Sequence, residues 1–134
     1  YIFYHYQPFS LTAGSEEVNG TYSFAKQIAG VSEYWYVKKI KKRKKTLEKI
    51  YKIRGGGSLP QFGDQFTNCW VLQHSFAKDA PPIKYYAAPM QSKYDKSPPK
   101  DGWICIGGIE PKPEIQEIDL KAIKQKFDTI KVKV

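Results

Sequence analysis

The sequence predicts a mainly β (α+β) fold: about six short antiparallel strands in a curved sheet or small barrel or sandwich, with one C-terminal helix. Three observations carry this. Asn19-Gly20 precedes an alternating Thr-Tyr-Ser-Phe run. The short apolar stretches NCWVLQH (Asn68–His74), IKYYAA (Ile83–Ala88) and WICI (Trp103–Ile106) are separated by breaks rich in proline and glycine. Beyond Pro111-x-Pro113 the apolar residues change period, with Leu120, Ile123, Phe127 and Ile130 recurring at spacings of three and four.

Taken in order, Asn19-Gly20 reads as a turn, because both residues tolerate positive φ, and Tyr22 and Phe24 then share one face of a strand. Glu33–Ile40 alternates as a second strand with aromatics on both faces. Lys41 to Lys45 has no apolar residue to bury and is expected at a hairpin tip, with Leu47–Ile53 as the return strand. Gly55-Gly56-Gly57-Ser58 is expected to be a flexible turn, since RGGGSLP lacks the spacing and the lysine of a nucleotide-binding loop. NCWVLQH and IKYYAA follow as strands, the second bracketed by Pro81-Pro82 and Pro89, which exclude helix there. Ser97–Gly102 turns the chain into the WICI strand, and Gly107-Gly108 ends it. Asp119 is the N-cap candidate of a helix over about 119–128. At 134 residues the chain is one domain (1–134), long enough to bury a single core without metals or disulfides. Its start at Tyr1 predicts a piece of a longer protein.

The formal net charge is +9, and one segment holds it. Lys38, Lys39, Lys41, Lys42, Arg43, Lys44 and Lys45 form a dense run, continued by Lys49, Lys52 and Arg54; without it the remainder is close to neutral. Such a run either solvates a hairpin tip, or attracts nucleic acid or anionic lipid, or serves as a localisation signal. Because lysine dominates it, base-specific readout is not expected.

The ordered series AGSEEVNGTY, EYWYVKK, IYKI, NCWVLQ, YYAAP, PPKDGW and EPKPEI resembles a small β module recurring in multidomain proteins of protists and other eukaryotes. The resemblance covers about Ala13 to Ile115. It implies a β fold and an accessory module, found beside kinase or ubiquitin-pathway domains, and it carries over no catalytic residue. The lysine run and the segment after Ile115 depart from the pattern.

The candidate chemistry is thin. The two histidines are His5 and His74, and the two cysteines Cys69 and Cys105. Cys69 and His74 lie five apart on one strand and therefore face opposite sides; Cys105 beside His74 on a neighbouring strand is the remaining nucleophile–base pairing. The cysteines read as buried thiols packed near Trp70 and Trp103, with a mutual disulfide as the alternative. No close-spaced ligand pairs suggest zinc. No catalytic residue, metal or cofactor is therefore expected. Trp70 and Trp103 are expected in the core. Tyr34, Trp35, Tyr36, Tyr85 and Tyr86 are candidates for an exposed aromatic face, unless the helix covers it.

The sequence thus predicts a noncatalytic module in a larger, intracellular protein, binding a protein or peptide through that aromatic face. The alternative is an anion-binding module that uses Lys38–Lys45 to contact nucleic acid or acidic membrane, with strong salt dependence.

Overall fold

Side-chain alternation and tight turns generate one antiparallel meander. The structure, a computed structural model, describes residues 7–92 and 95–118. Its strands are β1 (Phe9–Thr12), β2 (Gly20–Ile28), β3 (Val31–Lys42), β4 (Lys45–Gly57), β5 (Cys69–His74), β6 (Ile83–Pro89), β7 (Ile104–Cys105) and β8 (Glu114–Glu117). They form a single eight-stranded sheet in the order β7-β6-β5-β4-β3-β2-β1-β8, in place of the expected six strands. Among the described residues, helical structure is limited to three 3-10 turns of three residues each, Glu16–Val18, Pro60–Phe62 and Asp64–Phe66. The helix expected over about 119–128 lies outside the described residues.

The two additional strands are short and lie together. β1 buries Phe9 and Leu11 on alternate positions. β8 (EIQE) has one apolar residue, Ile115, which pairs with Leu11 and packs on the core. A four-residue strand with a single inward side chain has no periodicity to detect.

Two glycine expectations are also corrected. Asn19 has φ −74° and Gly20 opens β2 without positive φ. What Gly20 provides is room: a Cβ there would sit 2.5 Å from the Tyr36 ring. The Asn19 side-chain amide holds the preceding loop, accepting from Ala13 N at 2.7 Å and donating to Ala13 O at 3.1 Å. The positive-φ pair is Ala29-Gly30 (φ 51° and 81°), a two-residue loop between the paired residues Ile28 and Val31. Right-handed strand twist favours this torsion in such loops. Gly55–Gly57 is not a flexible turn. It belongs to β4, where the register slips between Arg54 and Gly57 as a bulge and Gly56 adopts φ +74°.

The sheet must curl. Laid flat, β7 and β8 would stand about 34 Å apart, at about 4.8 Å per strand step. Residues 106–108 are already tied back to β6 by Ile106 N→Tyr85 O, Gly107 N→Lys84 O and Gly108 N→Tyr85 O. The few residues left before Glu114 reach only about 20 Å at full extension. The two ends of the sheet are therefore drawn together. They are joined by Gly14 N→Pro111 O at 2.8 Å, by Ile109 N→Ser15 Oγ at 3.0 Å, and by Tyr86, whose hydroxyl accepts from Ser15 N at 3.0 Å and donates to Ile109 O at 2.6 Å.

The concave side of the curl is filled by aromatic rings. Phe9, Tyr22, Tyr34, Tyr51, Trp70, Tyr85, Tyr86 and Trp103 are all buried, so the expectation for Trp70 and Trp103 holds. Ring pairs run across the strands, with Phe9–Tyr22 at 5.7 Å, Tyr22–Tyr36 at 5.6 Å and Tyr36–Tyr51 at 6.0 Å. The hydroxyls are satisfied by backbone: Tyr22 donates to Val18 O and Tyr34 to Lys96 O, each at 2.7 Å. On the convex side Leu59, Phe66, Cys69, Val71 and Ala87 form a second cluster, roofed by the loop that Leu59 N→Phe66 O closes.

Burial raises the phenol pKa of Tyr22, Tyr51 and Tyr85 above the usual value, and the Glu17 carboxylate adds to the shift at Tyr51 and Tyr85. The folded state therefore keeps protons that the unfolded chain releases above about pH 10, so stability falls as pH rises through that value. Urea titrations between pH 9 and 11.5 should show a steepening loss of stability. The Tyr22→Phe variant should lose part of that slope.

Candidate anion-binding ribbon

Strand alternation disperses the aromatic candidates of β3, and a bulge in β6 turns both Tyr85 and Tyr86 inward. Tyr34 and Tyr86 have no exposed surface and Tyr85 is buried, because all three point into the curl, where the rings of neighbouring strands meet. Tyr36 is half-buried against Tyr22 and Tyr51. Only Trp35 faces the convex side, and its ring is already occupied. Lys26 and Lys52, from the flanking strands, place their ammonium groups 5.6 and 4.7 Å from its centroid. Its indole N–H donates to Glu33 Oε1. Glu33 is buried, and Lys52 Nζ (3.7 Å) and Arg54 Nε (4.0 Å) partner its carboxylate. The five rings thus form no common exposed face. Part of the predicted basic stretch, Lys52 and Arg54, serves instead to compensate a buried acid.

The remaining basic residues do come together. β2 leaves β3 after the Ser23–Trp35 pair and β5 leaves β4 after the Tyr51–His74 pair. Val37–Ile50 thus continues as a ribbon whose two strands pair only with each other. It extends about 17 Å from the sheet to its tip. The tip lies at Arg43-Lys44, with Arg43 at φ 54° and Lys42 opposite Lys45, so the hairpin placed by the lysine run is correct.

Register then sorts the charges by face. One face carries Lys38 opposite Lys49, Ile40 opposite Leu47, and Lys42 opposite Lys45. The other carries Val37 opposite Ile50, Lys39 opposite Glu48, and Lys41 opposite Thr46. Four lysines and no acid share the first face, while the ribbon's one carboxylate lies opposite Lys39 on the second. Like charges placed directly opposite each other cost about 0.2–1 kcal/mol per pair relative to neutral pairs. The first face holds two such pairs and leaves Leu47 49% exposed between them. Lys49, outside the dense run, is part of this face; the alternation Leu47-x-Lys49 is its only sequence signal.

The enzyme candidates separate. Cys69 lies in the convex cluster, whereas Cys105 packs against the concave core, and both thiols are free. Burial raises both thiol pKa values, with Glu110 adding to the shift at Cys105, the reverse of an activated thiolate. β6 stands between Cys105 and the strand of His74, so that pair is not adjacent. His74 is buried, with Nδ1 3.0 Å from Ile50 O and its ring 4.7 Å from that of Tyr51. His5 lies outside the described residues. Among the described residues no three His, Cys, Asp or Glu side chains gather as a metal site, and no helix is long and apolar enough to cross a membrane. Comparison with known proteins returns no match to this chain among family models, curated proteins or solved structures.

Proposed function

We propose that the chain is a noncatalytic binding module whose basic ribbon takes the phosphate backbone of a nucleic acid, without reading its sequence. The observation that supports this best is the sorting of Lys38, Lys42, Lys45 and Lys49 onto one face as two directly opposed pairs. A ribbon needed only for solubility would set its lysines opposite acids across the strands, as Lys39 is set opposite Glu48. Concentrating them costs stability that a polyanion would return by neutralising them. With Arg43 and Lys44 at the tip, six cations can meet phosphates, and each releases condensed counterions on binding.

A protein or peptide partner remains the competing class, but the five aromatic residues that first suggested it are buried or occupied. Fluorescence anisotropy with a labelled, mixed-sequence oligonucleotide distinguishes the two. The ribbon reading predicts submicromolar binding at 50 mM salt that weakens roughly 10²–10³-fold by 200 mM. No binding at 50 mM salt would refute it. Binding to anionic vesicles but not to the oligonucleotide would refute the choice of nucleic acid.

A further inference from the structure

Where the ribbon leaves the sheet, β4 loses its β5 neighbour and the chain after β5 turns away, leaving a groove of about 520 Å³ between them. One wall is Leu47, Glu48, Lys49 and Ile50, so the groove also holds one carboxylate; the other is Ser75, Phe76 and Lys78, and His74 lies at the junction. Three features of the groove bear on what it holds. Phe76 is 70% exposed, the highest value among the large apolar side chains of the described residues. It touches the body of the protein through a T-shaped contact with His74, ring centroids 5.1 Å apart, and this leaves ring surface open to solvent. Lys49 and Lys78 belong to no ion pair among the described residues, whereas Lys52 is already committed to Glu33 and Trp35. Finally, His74 Nε2 is buried without a hydrogen-bond partner among the described residues, while Nδ1 lies against Ile50 O.

An open aromatic ring beside two unpaired ammonium groups, at the foot of a basic ribbon, has the parts of a single-strand site: stacking for an unpaired base and cations for its flanking phosphates. The volume is within the usual range for a small-ligand pocket. A duplex offers its phosphates but keeps its bases stacked, so Phe76 would gain nothing from it.

Resting on the ribbon's reading as a phosphate contact, we infer that this groove takes one unpaired nucleotide, with its base against Phe76 and its phosphates between Lys49 and Lys78. The module's ligand is then single-stranded nucleic acid. The test titrates the full chain and its Phe76→Ala and Phe76→Trp variants with a single strand of about a dozen nucleotides and with the matching duplex, at 50 mM salt. Phe76→Ala should lose 5- to 100-fold in affinity for the single strand, keep the salt slope, and bind duplex as before; Phe76→Trp should restore single-strand binding. Because Phe76 is mostly exposed, folding should survive the change, which thermal melts verify. Equal single-strand affinity for wild type and Phe76→Ala would overturn the groove assignment and leave the ribbon standing. So would a loss that duplex shares equally. Competition by polyglutamate at the same charge concentration would overturn it in favour of an acidic peptide. If neither nucleic acid binds, the ribbon reading falls, and the groove assignment with it.

Discussion

Tyr86→Phe is expected to destabilise the domain by about 2–4 kcal/mol, although it removes a single atom. The Tyr86 ring is fully buried on β6, near one edge of the sheet, and its hydroxyl joins Ser15 N from the loop after β1 to Ile109 O from the β7–β8 connection. Without that oxygen a buried donor and a backbone acceptor lose a shared partner at the point where the curl closes. Each such orphan costs about 1–3 kcal/mol. Phenylalanine fills the same volume, so no cavity term obscures the result. Nor can the neighbourhood shift easily, because a Cβ on Gly108 would come within 2.5 Å of the Tyr86 ring, a measure of how tightly the backbone passes it. Tyr85→Phe is the control: Tyr85 is also buried, but its hydroxyl joins no two segments among the described residues, and the loss should stay below about 1 kcal/mol. Urea unfolding at pH 7 reads both values, and m should be unchanged if only stability differs. If Tyr86→Phe matches wild type, the closure is held by something other than this hydroxyl.

The second large effect is on binding. Replacing Lys38, Lys42, Lys45 and Lys49 together by glutamine should lower nucleic-acid affinity at 50 mM salt by at least about 100-fold and flatten the dependence of log K on log salt by about 3. The same variant should be as stable as wild type or slightly more so, because two directly opposed lysine pairs are relieved. Opposite changes in affinity and stability are the informative outcome. Loss of both would mean that the lysines support the fold. Loss of neither would mean that they only solvate the ribbon.

Much of the architecture was legible from side-chain alternation and turn residues. The β class, the hairpin under the lysine run, the NCWVLQH and IKYYAA strands, and the burial of Trp70 and Trp103 all follow from local pattern. β1 and β8 were not legible, because each is four residues long and they find their place by pairing with each other. Gly20 and Gly55–Gly57 misled for a related reason. Glycine marks either an unusual torsion or a close approach, and only the packed neighbours distinguish them; Tyr36 against Gly20 is the second kind. The site shows the same division. A one-dimensional reading finds the charge run but cannot assign its lysines to faces. That assignment depends on register, which Ala29-Gly30 and the Arg43-Lys44 turn set at opposite ends of β3. The aromatic face failed because strand alternation alone does not say which side the sheet curls toward. Phe76 and Lys78 gave no signal, since a loop residue becomes part of a groove only when the neighbouring strand ends.

If the ribbon takes phosphates on one face, the position of its charges matters beyond their sum. The most direct measurement compares two double variants of identical net charge, Lys38→Gln with Lys49→Gln and Lys39→Gln with Lys41→Gln, by oligonucleotide anisotropy at 50 mM salt. The first pair lies on the face without acids, the second on the face that holds Glu48. The expected loss is about 10-fold for the first and less than about 3-fold for the second. Equal losses would contradict it, and would reduce the ribbon to a diffuse positive charge.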